Sequence, residues 1–318
     1  MKPSIIAHRG ASAYLPEHTL PAKAMAYAMG ADYLEQDLVA SRDDHLVVLH
    51  DVHLDRVTDV ARRYPDRHRA DGRYYVRDFD LAEIRELAVT ERLDEHGGAV
   101  YPGRFPPHTG RFGIHTLAEE LELVRGLNAA TGRRVGVYPE LKRPAWHRDQ
   151  GVDMAPLLLG ILSAHGYESA ADPVFVQCFD RAEIERLREA LGTRLKLVQL
   201  VGENNWRESD TDFDRLKTAA GLRDLARFAD GIGPWIRQLY TLETIDGEPV
   251  STGLVRAAQD AGLVVHPFTL RADDLPAGFT HHDALAEFLL ETLGVDGVFT
   301  DFPDRLQHLI AAGPAGKR

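Results

Sequence analysis

Charged residues close several apolar runs of this chain, in a spacing that suits a cation beside a phosphate. Glu35-Gln36-Asp37 follows Asp32-Tyr33-Leu34, Glu140-Leu141-Lys142 follows the run from Arg134 to Tyr138, and His8-Arg9-Gly10 follows Ser4-Ile5-Ile6-Ala7. Residues two apart on a strand share a face, so Glu35 and Asp37 should aim together, as should Glu140 and Lys142. Unpaired charges are poor core material. Three carboxylates with room for water suit a hard divalent cation, Ca²⁺ or Mg²⁺. Zn²⁺ is less suited, because no close His-x-x-x-His or Cys pair is present. On spacing alone, a buried ion-pair network of Glu35, Asp37 and Glu140 with Arg9 and Lys142 stays open as the other reading.

Two histidines shift that balance. The run Leu46-Val47-Val48-Leu49 would return His50 to the rim that holds Glu35 and Asp37, opposite His8. Imidazoles titrate near neutral pH, so the pair can serve as general acid and base. Arg9 offers a planar fork to phosphate oxygens and Lys142 a point charge. Together these groups describe a pocket for a phosphodiester. Gln177 and Phe179 end another apolar run, and Trp235, His266 and Asp301 lie further round. Phe179 and Trp235 either wall the ligand or simply pack. Glu17 either anchors the site or caps a helix starting near His18. His266 and His115 carry no assigned role.

Such residues need a scaffold that gathers strand ends. Apolar runs at 4–7, 32–39, 134–141, 173–178, 195–201, 230–234, 263–269 and 297–300 read as eight strands. Helical patterns at 18–29, 116–130, 152–165, 180–191, 214–228, 250–261 and 282–292 separate them, and 303–312 follows the last. Runs such as Leu263-Val264-Val265 are apolar without alternation, as when both faces are covered. Eight βα units predict a TIM (βα)8 barrel, whose chemistry sits at the carboxyl ends of the strands. The stretch from 52 to 114 shows no clean βα unit and is too long for an ordinary connection. It reads as a small subdomain inserted after strand two within a single domain spanning 1–318. Asp78 to Ile84 resembles a capped short helix inside it.

The bulk composition sets limits. With 44% hydrophobic and 27% charged residues over 318 positions, a sizeable core is available. The net charge of −12, from 49 acidic against 37 basic residues, argues against a broad nucleic-acid surface. An anionic ligand must then be drawn in locally, by a cationic pocket or a metal. The single cysteine, Cys178, rules out an internal disulfide and reads as a buried structural thiol. No stretch approaches the roughly 18 apolar residues of a membrane span. The first strand begins near Ser4 with no export signal before it, which points to the cytoplasm; an upstream signal already removed would make it periplasmic or secreted.

His8-Arg9-Gly10-Ala11, Pro16-Glu17-His18-Thr19, Glu35-x-Asp37, His50-Asp51 and Glu140-x-Lys142 resemble, as a set, the glycerophosphodiester phosphodiesterase family. The stretches 14–27, 30–38, 46–60, Pro102–Pro106, Asp230–Pro234 and Phe299–Pro303 look like its bacterial periplasmic, calcium-dependent type. The resemblance implies a TIM barrel with an insertion after strand two. It also implies cleavage of glycerophosphodiesters, such as glycerophosphocholine or glycerophosphoethanolamine, to sn-glycerol 3-phosphate and an alcohol. It matches Glu35, Asp37 and Glu140 to metal ligands, His8 and His50 to the acid/base pair, and Arg9 and Lys142 to phosphate contacts. Gln177, Phe179 and Trp235 are the further candidates for contact with the substrate, on their place at the strand ends. Two alternatives are a phosphodiesterase acting on lysolipids, which would need an apolar rim, and a barrel that binds glycerophosphate compounds without turnover.

Overall fold

The computed structural model describes residues 2–242 and 247–313. Eleven strands are present in it: β1 Ser4–Ala7, β2 Tyr33–Ala40, β3 Leu46–Val48, β4 Gly136–Leu141, β5 Phe175–Cys178, β6 Lys196–Val201, β7 Gly231–Pro234, β8 Tyr240–Thr241, β9 Val250–Ser251, β10 Val264–Val265 and β11 Gly297–Thr300. Eight of them run parallel in the order β10-β7-β6-β5-β4-β2-β1-β11. A parallel bridge between Leu270 and Thr300 joins the two ends of that series. The fold is a TIM barrel, and each of the eight expected runs holds one of its strands.

Helix signals explain where the outer layer begins and stops. Thr19 caps the helix Leu20–Ala28 by accepting from the Ala22 N–H. Thr116 and Glu119 form a capping box on Leu117–Thr131, which ends at Gly132 in the left-handed region. Several elements are shorter than their apolar patterns. The pattern at 250–261 becomes a helix only from Leu254, after Gly253 at φ 80°, and Val250–Ser251 instead pairs with β8. The pattern at 214–228 splits into Phe213–Leu216 and Ala219–Leu225, because Thr218 caps the second piece. The run 263–269 contracts to β10, since Pro267 has no N–H to give a ladder. β3, antiparallel to β2, lies in a run that delivers His50 and was not among the expected strands.

The barrel interior is apolar at its base. Tyr138, Phe175 and Phe299 pack there with Ile6 and Val198, the Tyr138 and Phe175 rings stacked at 4.9 Å. Gly136 is required beside them, because a Cβ would fall 2.3 Å from the Pro173 carbonyl and 2.5 Å from the Tyr33 ring. This largely aromatic floor lies beneath the charged rim. Cys178 is buried, its thiol donating to the Leu141 carbonyl at 3.2 Å.

Residues 52–114 carry short helices at Val60–Arg63 and Leu81–Ile84 and gather a cluster of their own, including Leu54, Val76, Phe79 and Ile84. That cluster packs on Val39 and Val47, a cross-strand pair of β2 and β3, Val39 lying on the same strand face as Glu35 and Asp37. Asp80 and Glu83 make the capping box on Leu81–Ile84.

Candidate active site

Strand alternation decides what reaches the mouth. On β2, Glu35 and Asp37 turn inward, whereas Gln36 between them turns outward and bonds Glu120 at 2.7 Å. Register places Glu140 beside Asp37 and Gln177 beside Glu140, a row across β2, β4 and β5. After β1 the chain turns sharply at Arg9 (φ 59°) and Gly10 (φ 88°). A Cβ on Gly10 would lie 2.8 Å from the Ala22 backbone carbon, so only glycine fits this turn. The turn aims the Arg9 N–H at Glu35 Oε2, 2.7 Å away.

One cavity of about 250 Å³ is lined by His8, Arg9, Glu35, Asp37, His50, Glu140, Lys142, Gln177, Phe179 and Trp235. All ten residues singled out from the sequence therefore share one space. Lys142 Nζ lies 2.8 Å from Glu140 Oε1, 3.8 Å from Asp37 Oδ1 and 3.4 Å from His50 Nε2. Arg9 pairs with Glu17 at 3.0 Å, and its Nε lies 3.6 Å from Asp37 Oδ2. Glu17 is thus tied to Arg9, and Thr19 takes the cap role that Glu17 could have filled. His266 is buried in the barrel with its Nδ1 2.9 Å from the Tyr138 hydroxyl, and His115 pairs with Glu120 at 2.7 Å.

Each rim imidazole is held by a carboxylate. His8 Nδ1 lies 2.6 Å from Asp301 Oδ1, and His50 Nδ1 lies 2.6 Å from Asp51 Oδ1. A carboxylate on Nδ1 favours the tautomer with its proton there and leaves Nε2 as acceptor. Burial, with Arg9 adding to it, lowers His8 to about 4. Burial, Arg9 and Lys142 lower His50 as well. Both rings are thus neutral and able to accept a proton.

The carboxylates show that the rim is short of positive charge. Burial and the neighbouring Asp37 charge raise Glu35 to about 8. Burial and Asp37 also raise Glu140 well above the usual range, against the pull of Lys142. Asp37 stays well below its usual range: burial opposes this, but Lys142, His50 and His18 outweigh it. Among the described residues, Asp37 Oδ1 and Gln177 Oε1 are buried without a hydrogen-bond partner. An unsatisfied carboxylate oxygen beside two acids held towards neutrality fits a site built for a cation.

Several rim residues carried no role in the sequence reading. Ligand atoms of His18, Glu35 and Asp37 lie within 4.8 Å of one another, and His18 Nε2 is 2.7 Å from Asp37 Oδ2. His18 sits at φ 57°, just ahead of the helix, which points its ring inward rather than along the helix. Its place in Pro16-Glu17-His18-Thr19 was the available signal. Trp206, Glu208, Phe268 and Arg271 also line the cavity. A second cavity of about 190 Å³, bounded by Glu17, Arg92, Tyr101 and Arg104, shares His8, Arg9, His50 and Arg271 with the first.

Parallel strands whose carboxyl ends carry paired imidazoles and carboxylates define an enzyme of the TIM-barrel type. The family described as "Glycerophosphoryl diester phosphodiesterase family" matches residues 8–305, and the chain belongs to that family. A glycerophosphodiester phosphodiesterase of Haemophilus influenzae is 43% identical over 318 residues, covering 94% of this chain and 87% of its own length. One of Treponema pallidum is 39% identical over 323 residues, covering 94% and 89%. Among solved structures, a glycerophosphodiester phosphodiesterase from Agrobacterium tumefaciens shares the fold with a TM-score of 0.62 at 22% identity, over 98% of this chain and 99% of that one. An Oleispira antarctica phosphodiesterase, in complex with the product sn-glycerol-3-phosphate, matches with a TM-score of 0.63 at 22% identity, over 97% of each chain. Among the described residues, no helix is long and apolar enough to cross a membrane.

Proposed function

We propose that this enzyme hydrolyses glycerophosphodiesters, such as glycerophosphocholine or glycerophosphoethanolamine, to sn-glycerol 3-phosphate and an alcohol. The observation that carries the reading is that two carboxylate-held imidazoles, two cations and three carboxylates face one cavity. The relatives named as glycerophosphodiester phosphodiesterases support it.

In this reading Arg9 and Lys142 contact the phosphate. One of His8 and His50 takes the proton of the nucleophile at Nε2. The other gives a proton to the leaving oxygen, and the negative charge of a bound phosphate favours that protonated ring. Each transfer is worth about 10²–10⁴ in rate. Gln177 donates to Glu35 at 3.4 Å and keeps that carboxylate in place. Phe179 and Trp235 wall the glycerol half.

Glu35, Asp37 and Glu140 would hold a divalent cation, with His18 steadying Asp37. The oxygen-rich donor set favours Ca²⁺ first and Mg²⁺ second. When bound, such an ion polarises a phosphoryl oxygen and offsets its charge. The chain is one barrel domain whose insertion, about 52–114, borders the mouth.

Choline release from glycerophosphocholine, with sn-glycerol 3-phosphate as co-product, is the test. Absence of both products with calcium and with magnesium present would refute the reading. Release from lysophosphatidylcholine at a comparable rate would favour a lysolipid substrate instead. Among the described residues the large exposed hydrophobics are Val100 and Val250, an isolated pair rather than an apolar rim.

A further inference from the structure

The insertion reaches the rim with two arginines, and each ends on a carboxylate that holds one of the two imidazoles. Arg92 Nη1 donates to Asp51 Oδ2 at 2.7 Å, while Asp51 Oδ1 faces His50. Arg104 Nη2 donates to Asp301 Oδ2 at 2.7 Å, while Asp301 Oδ1 faces His8. Both guanidiniums are fixed from a second side. Arg92 also donates to Glu17 at 2.6 and 2.9 Å, and Arg104 to Asp273 at 2.8 and 3.0 Å. Their side chains are only 12% and 5% exposed.

Anchoring alone does not account for this arrangement. The insertion already packs an apolar cluster against β2 and β3, and burying two arginines carries a desolvation cost that simple attachment would not need. A carboxylate that bonds only an imidazole can swing about its last torsion. With a guanidinium on its other oxygen it is pinned, and so is the ring. Proton transfer is sensitive to such orientation.

We propose that the insertion is part of the catalytic apparatus, with Arg92 and Arg104 as positioning residues that lock Asp51 and Asp301 and thereby orient His50 and His8. This rests on the acid/base roles assigned above. The two arms are unequal. Asp301 keeps a second guanidinium, Arg271 Nε at 2.7 Å, whereas Arg92 is the guanidinium that holds Asp51. Loss of Arg92 is therefore the more damaging.

Steady-state kinetics of the full chain, with calcium and with magnesium, test this on glycerophosphocholine and on glycerophosphoryl p-nitrophenol. For Arg92→Met and Asp51→Asn, kcat on glycerophosphocholine should fall about 10- to 100-fold. Arg104→Met should fall less. For Asp51→Asn, which keeps the Arg92–Glu17 pair beside Arg9, KM should stay within about threefold. Arg92→Lys and Arg104→Lys should recover part of the loss. Nitrophenolate departs without needing a proton. The arm that serves the leaving oxygen should therefore be relieved on that substrate, and the other arm should keep its deficit. Folded variants with unchanged kcat would overturn the inference, as would a deficit lying wholly in KM or one identical on both substrates for both arms. Should Arg92→Met not fold, Asp51→Asn carries the same test with the shape preserved. A wild type that turns over neither substrate removes the proposed function itself, whereas an active wild type with unaffected variants removes only the role of the insertion.

Discussion

Replacing Lys23 by methionine tests how strand β2 is held with its acids facing inward. Lys23 is fully buried beneath the helical layer, and its Nζ lies 3.0 Å from Glu120 Oε1 while also donating to the Glu35 carbonyl. Glu120 accepts from Gln36 at 2.7 Å and pairs with His115, so the outward side chain of β2 is built into one buried polar knot. Burial alone would raise Glu120, but Lys23, then His115 and Gln36, bring it down to about 2. Lowering a carboxyl from its usual 4.5 to about 2 corresponds to roughly 3 kcal/mol of stability at neutral pH. That figure is the net for Glu120 over burial, Lys23, His115 and Gln36; removing one partner of a buried pair costs about 3–5 kcal/mol in other proteins, and the lower end is expected here. The pKa is depressed in the folded state, so this contribution is present above pH 4.5 and fades as pH falls towards 2. Denaturant unfolding at pH 7 should show Lys23→Met less stable by about 3 kcal/mol, with the gap narrowing near pH 3. Adding Glu120→Gln should restore part of the loss, because the orphaned charge is gone. A deficit under about 1 kcal/mol at pH 7, or one that does not change with pH, would refute the reasoning.

Three further outcomes follow from the site. His8→Ala and His50→Ala should each lower kcat by about 10²–10⁴ while leaving cation-dependent stabilisation intact; near-normal turnover in either removes that ring from acid/base work. Chelation should abolish turnover, and calcium should restore it better than magnesium, measured as product formed after metal add-back; activity that survives exhaustive chelation contradicts the ion's role. Glu91 is buried, one oxygen has no hydrogen-bond partner among the described residues, and burial followed by the Glu17 charge raises it to about 7. Its folded pKa is raised, so it costs stability increasingly between pH 4.5 and 7. Glu91→Gln should therefore stabilise the protein by about 1–3 kcal/mol at pH 8 and little at pH 5, read from unfolding midpoints.

Much of the barrel was legible because buried parallel strands are apolar on both faces, as in Val264-Val265 and Phe175-Val176. The two-residue period placed Glu35 and Asp37 together without any knowledge of the fold, and the run ahead of His50 told where it would return. Helix lengths were less legible. The pattern from 250 to 261 continues through Gly253, whose left-handed backbone stops the helix, and apolar period does not report backbone sign. The contributions of Arg92 and Arg104 were invisible, because each meets its carboxylate across 41 and 197 positions of sequence. His18 was partly legible. It lies beside Glu17 in a recognisable motif, yet a residue just before a helix cap gives no hint that its ring meets Asp37.

The most direct test is a crystal structure with calcium and sn-glycerol 3-phosphate bound. The expected result is the ion on Glu35, Asp37 and Glu140, with the phosphorus between the Nε2 atoms of His8 and His50 and oxygens on Arg9 and Lys142. An ion held elsewhere, or a phosphate that leaves either imidazole out of reach, would contradict it.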